Sequence, residues 1–100
     1  MSQIIQQNRI WVLMSQLRDG TTKEDLEKIT PSIIELVDKW QSKGKFIWSG
    51  PLSDEKTGMA IFEATEEEAE EFHEEYGKIC SGILDYSLYQ WESIPFLSML

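Results

Sequence analysis

The sequence predicts a single α+β domain whose elements run β-α-β-β-α-β. Three observations predict it. Four apolar runs rich in aromatic and β-branched residues are spread along the 100 residues. Two stretches between them carry apolar positions at helical spacing behind a capping-box signal. The linker between the second and third runs is compatible with a hairpin.

RIWVLMS (9–15) reads as the first strand, ended by a polar turn around RDGTT. Thr22 with Asp25 has capping-box spacing, a side-chain oxygen for early backbone N–H groups and a carboxylate three positions on. Thr30-Pro31 offers a second helix start, with Thr as cap and Pro at the first helical position. A short helix or turn is therefore expected first, then a main helix from about Pro31 to Lys43. Ile33, Ile34, Val37 and Trp40, with Leu36 at one margin, form its apolar stripe, and Gly44 is a natural stop.

KFIWSG (45–50) and GMAIFEA (58–64) are the second and third strands, antiparallel neighbours across PLSDEKT. Thr65 with Glu68 opens a second helix, whose acidic first turn suits the helix dipole. Ala69, Phe72 and Tyr76 recur at helical spacing inside the acidic run EEEAEEFHEE, so that run reads as a solvated helix face rather than a disordered tail. The helix is expected to reach about Tyr76 and stop near Gly77. ILDYSLYQW (83–91) is the fourth strand. Residues 1–8 are expected to be a flexible N-terminus, and residues 92–100, ESIPFLSML, an apolar tail that docks on a dimer.

This order is the ferredoxin-like arrangement, a four-stranded antiparallel sheet with two helices on one face. A sheet whose other face met water would alternate apolar and polar residues. IWVLM has no polar member, and MAIF none before Glu63, so the second face is expected to be covered too. A second copy of the chain is the economical cover, giving a homodimeric α+β barrel and leaving room for further assembly.

Composition narrows the partners. Nine Lys plus Arg against 18 Asp plus Glu give a net charge of −9, which repels phosphate backbones and argues against nucleic acid. The single cysteine, Cys80, excludes an internal disulfide and a CxxC pair, and reads as a small buried apolar residue. MSQIIQQNR lacks the apolar core of a signal peptide, and no segment approaches the length of a membrane span, so a cytoplasmic protein without membrane partners is expected. With no P-loop, Rossmann glycines, HExxH, GxSxG or metal-spaced His/Cys cluster, neither a metal nor another cofactor is expected.

The run TPSIIELVDKWQSKGKFIWSGPL (30–52) resembles the helix-to-strand stretch of YCII-related proteins, and IFEATEEEAEEF (61–72) resembles their third strand and second helix. ELVDKWQSKG and EEFH resemble muconolactone isomerases. The resemblance covers roughly residues 9–92 and implies a dimeric α+β barrel enclosing a small-molecule cavity. The chain departs from both patterns where chemistry would sit. The YCII-related His two positions after the helix-starting Pro is Ile33, and Tyr76-Gly77 stands where Asp-Pro would be. The acid/base dyad which that pair suggests is not inherited. Of the isomerase pattern, one carboxylate is matched at Glu35 and a His at His73, while the other acidic position falls on Ile33.

Glu35 and His73 are therefore the candidate proton-transfer residues, each with a solvated surface position as the alternative. Glu63 and Asp85, acidic residues inside strands, are the second choice. Trp11, Trp48, Tyr86, Tyr89 and Trp91 all fall on strands and suit a cavity for a flat or amphipathic ligand, or ordinary core and interface packing. Strand parity puts Tyr89 and Trp91 on one face with Asp85 and Ser87, and Tyr86 on the other with Leu84 and Leu88. The resemblance places the turn Ser49-Gly50-Pro51 at the cavity border, and Ile33 and Tyr76 at the positions of the lost dyad. The leading function is binding of a small aromatic or apolar acid-type ligand, non-catalytically or as a diverged cofactor-free enzyme. The alternatives are a muconolactone-type isomerase or lyase and a protein-interaction module.

Overall fold

In the computed structural model, the described residues are 8–45 and 47–92. The expectations for the N-terminal segment and the apolar tail lie almost wholly outside these residues. The elements are β1 (Arg9–Leu17), α1 (Lys23–Ser42), β2 (Ile47–Pro51), β3 (Thr57–Ala64), α2 (Glu66–Cys80) and β4 (Leu84–Trp91). The strands form one antiparallel sheet in the order β2-β3-β1-β4, the ferredoxin-like topology.

Local chemistry accounts for the helix starts. Thr22 and Asp25 complete a reciprocal capping box at α1: the Asp25 N–H donates to the Thr22 hydroxyl at 3.2 Å, and the Thr22 N–H to the Asp25 carboxylate at 3.1 Å. Thr65 and Glu68 do the same for α2. Glu68 also meets Lys45 at 2.7 Å, and that ammonium, followed by the Thr65 N–H, holds its carboxyl below the usual range.

Several boundaries differ from the sequence reading. α1 is one helix from Lys23, with Pro31 inside it rather than at a second start. Pro31 and Glu27 lie on the exposed side, where water can satisfy the Glu27 carbonyl that proline leaves without a donor. The Thr30 hydroxyl, instead of capping a new helix, donates back to the Leu26 carbonyl at 2.8 Å. α2 passes through Gly77 to Cys80. A Cβ at Gly77 would run into the Tyr86 hydroxyl, so this glycine makes room for a ring rather than ending a helix. Finally, β1 continues to Leu17, two residues past its expected end.

Both helices cover one face of the sheet. Trp11, Leu13, Ala60, Phe62, Ala64, Ile47 and Leu84 meet Leu36, Trp40, Ala69, Phe72, Tyr76 and Cys80 in the buried core. Phe72 is its centre, edge-on to Trp40 at 5.4 Å, tilted against Phe62 at 4.7 Å and stacked on Tyr76 at 6.3 Å. A Lys39–Glu75 ion pair at 3.1 Å ties α1 to α2 at the surface.

The hairpin between β2 and β3 closes through the Leu52 N–H donating to the Thr57 carbonyl at 2.7 Å. Asp54 organises it, accepting from the Thr57 hydroxyl at 2.6 Å and from the Lys56 and Thr57 N–H groups at 2.9 Å each. These bonds, the Thr57 hydroxyl first, hold the Asp54 carboxyl below its usual range.

Candidate functional site

The middle of the sheet's second face is apolar, in keeping with the lack of alternation in IWVLM and MAIF, with polar residues towards its ends. Register aligns Trp48, Ile61, Val12 and Tyr89 in one row across all four strands. Ile10 and Trp91 lie beside this row on one side, and Met59 and Met14 on the other. Trp48 is 68% exposed, Tyr89 57% and Trp91 46%. Large rings in that state, contiguous with aliphatic neighbours, form a patch of the kind that marks an interaction surface.

The covered face holds a cavity of about 450 Å³ between α1 and the sheet. Leu26, Ile33, Ile34 and Val37 line it from α1, with Leu13, Leu17 and Ala60 from the strands and Phe72 from α2. Ser49, Gly50 and Pro51 of the edge strand β2 border it, and Glu55 and Lys56 of the exposed hairpin stand at its margin.

Two buried hydroxyl groups belong to its lining, Ser15 (8% exposed) and Tyr76 (6% exposed). The Tyr76 phenol interacts with the Ser15 hydroxyl and with the Cys80 thiol. Burial pushes the phenol's pKa far above its usual value and the thiol's up to about 11, so both keep their protons at neutral pH. The Ser15 hydroxyl donates to the Gly58 carbonyl at 3.5 Å, the outer limit for such a bond.

A larger hollow of about 550 Å³ lies at the far ends of β1 and β4, bordered by Gln16, Arg18, Ser81, Asp85, Tyr86 and Ser87. Its one guanidinium, on Arg18, is already 3.5 Å from Asp85. The smaller cavity instead has mostly apolar walls with few polar groups.

The sequence candidates thus separate into groups. Ile33, Ser49, Gly50, Pro51 and Tyr76 converge on the cavity under α1, while Trp48, Tyr89 and Trp91 lie on the opposite face. Trp11 is buried in the core, its indole N–H donating to the Ala64 carbonyl at 2.9 Å. Tyr86 packs on α2, edge-on to Tyr76 at 5.5 Å and to His73 at 5.0 Å. Glu35 is exposed on α1, and neither it nor His73 lines the cavity. Glu63 and Asp85 are both exposed on the second face.

Ser15 and Gly58 escape the sequence reading. Ser15 reads simply as the last residue of the first strand, and only pairing opposite Gly58 and burial reveal its enclosed hydroxyl. Among the described residues no group of His, Cys, Asp and Glu could hold a metal ion, and no helix is long and apolar enough to cross a membrane.

No family model matches the chain, and no curated protein matches it. Solved structures do. Ribosomal protein S6 of Thermotoga maritima is similar at a TM-score of 0.55 and 10% identity, covering 85% of this chain and 89% of that one. An uncharacterised protein of Thermotoga maritima is similar at 0.56 and 16% identity, covering 86% of this chain and 100% of that one. A REP-associated tyrosine transposase bound to a REP hairpin is similar at 0.52 and 11% identity, covering 94% of this chain and 64% of that one. At such identities the likeness shows the ferredoxin-like fold alone, a fold that carries unrelated functions.

Proposed function

We propose that this chain is a small-molecule-binding protein that works as a homodimeric α+β barrel, as its resemblance to YCII-related proteins and muconolactone isomerases implies, with the ligand held between α1 and the sheet rather than between the two sheets. The observation that carries the reading is the apolar cavity of about 450 Å³ under α1, within the size range of ligand sites. Ile33, Ser49, Gly50, Pro51 and Tyr76 form part of its wall. The second sheet face, centred on Val12 and Ile61 and flanked by Trp48, Tyr89 and Trp91, is where a second copy docks.

Binding is favoured over proton transfer because Glu35 and His73, the isomerase-like candidates, lie outside that wall. Nucleic acid is disfavoured as a partner by the net charge of −9 and by the exposed acidic face of α2 at Glu66, Glu67, Glu70, Glu71 and Glu74.

Native mass spectrometry of protein purified from its own host tests both parts. The expected spectrum is a dimer carrying extra mass, which Ile33→Trp removes by filling the cavity. Val12→Lys, which puts a charge in the middle of the apolar row, is expected to give a folded monomer. A wild-type monomer would refute the dimer, and wild-type protein without bound mass would count against the ligand.

A further inference from the structure

We propose that the cavity under α1 selects a neutral aliphatic molecule with one hydrogen-bond acceptor, such as a ketone, ester or lactone carbonyl, seated on the Ser15–Tyr76 hydroxyl pair. This rests on the reading of that cavity as a ligand site.

The walls specify the body of the ligand. Leu13, Leu26, Ile33 and Val37 present branched aliphatic surface, while Phe72 is engaged by Trp40, Phe62 and Tyr76. An alkyl chain or alicyclic ring therefore matches better than a flat ring seeking a stacking partner.

The polar end specifies the head. Ser15 and Tyr76 each bring one O–H. The nearby Gly58 carbonyl takes one of these protons only at 3.5 Å, so a stronger acceptor in the cavity has a donor to engage. Gly58 itself protects this arrangement. A Cβ at this position would come within 3.0 Å of the Ser15 Oγ, although nothing in the backbone there demands glycine, so the missing side chain leaves space for the hydroxyl.

Charge excludes the other heads. Among the described residues, no Lys, Arg or His of the lining lies beside Ser15 and Tyr76. The one cation among the described lining residues, Lys56, is in the exposed hairpin next to Glu55. A carboxylate carried to the hydroxyl pair would lose its hydration without a counter-charge, and an ammonium would find no carboxylate there.

The test is a methyl-resolved NMR titration at pH 7 with 2-heptanone, heptanoate and toluene, on the wild type and on Tyr76→Phe and Ser15→Ala. Saturable shifts of the Leu13, Ile33 and Val37 methyls with 2-heptanone are expected, with heptanoate at least tenfold weaker. The two variants are expected to lose roughly threefold to tenfold in 2-heptanone affinity, the worth of one hydrogen bond, while toluene binding holds. Heptanoate binding as tightly as the ketone in the wild type would overturn the neutral-ligand assignment yet leave the cavity a ligand site. Unchanged ketone affinity in both variants would overturn the hydroxyl seat. If none of the three probes moves those methyls, the ligand-site reading itself falls.

Discussion

Gly77→Ala separates two explanations for a glycine inside a helix. In an unobstructed helix this change stabilises by about 1 kcal/mol, because alanine loses less backbone entropy. Here the added Cβ would collide with the Tyr86 hydroxyl oxygen and come within 3.0 Å of the ring carbon Cζ. Tyr86 has little room to withdraw, since its ring is edge-on to Tyr76 at 5.5 Å and to His73 at 5.0 Å, both on the same helix. Overpacking of this kind costs roughly 1–3 kcal/mol, so the clash outweighs the helix gain and the net loss is about 1 kcal/mol. In a Tyr86→Phe background the colliding oxygen is gone while the close contact with Cζ remains, so the alanine is expected to be about neutral. The two positions should then couple by about 1–2 kcal/mol in a double-mutant cycle. Urea midpoints of the four proteins at one protein concentration measure this, with unchanged slopes confirming that compactness is unaltered. Stabilisation by Gly77→Ala in the wild-type background, or the same effect in both backgrounds, would refute the steric account.

Pro31→Ala restores a backbone donor in the interior of α1 and is expected to raise stability by about 1–3 kcal/mol; a loss of stability would mean that the proline starts a separate helix. Asp54→Ala removes three hydrogen bonds from the hairpin, and its effect should depend on pH. Because the folded carboxyl is held below its unfolded pKa, its contribution is full above about pH 4 and disappears as pH falls through the lowered value. The difference in urea midpoint between wild type and Asp54→Ala should therefore shrink in acid, and a constant difference would show that the charge plays no part.

Much of the fold was legible because its signals are local. The capping boxes at Thr22–Asp25 and Thr65–Glu68 each lie within one turn of chain, and both formed where their spacing indicated. Strand parity assigned Tyr89 and Trp91 to one face and Tyr86 to the other, since period-2 geometry leaves no freedom. The two misread positions share a cause. Pro31 and Gly77 are punctuation by local statistics, yet whether they break a helix depends on solvent beside Glu27 and on a tyrosine nine residues further along the chain.

The candidate site was legible only in part, for the same reason. Ile33, Tyr76 and the Ser49-Gly50-Pro51 turn were marked by their place in a resemblance, while Ser15 and Gly58 carried no signal until β1 and β3 paired. By itself the sequence determined the element order, the two capping boxes, the acidic surface and the two-sided apolar sheet, all of which follow from residue type and short-range periodicity. Only the tertiary structure decided that a space remains between α1 and the sheet, and that two hydroxyls rather than a charge stand at its polar end. Those depend on how elements distant in sequence approach one another, and packing distances of that kind are not encoded in any local pattern.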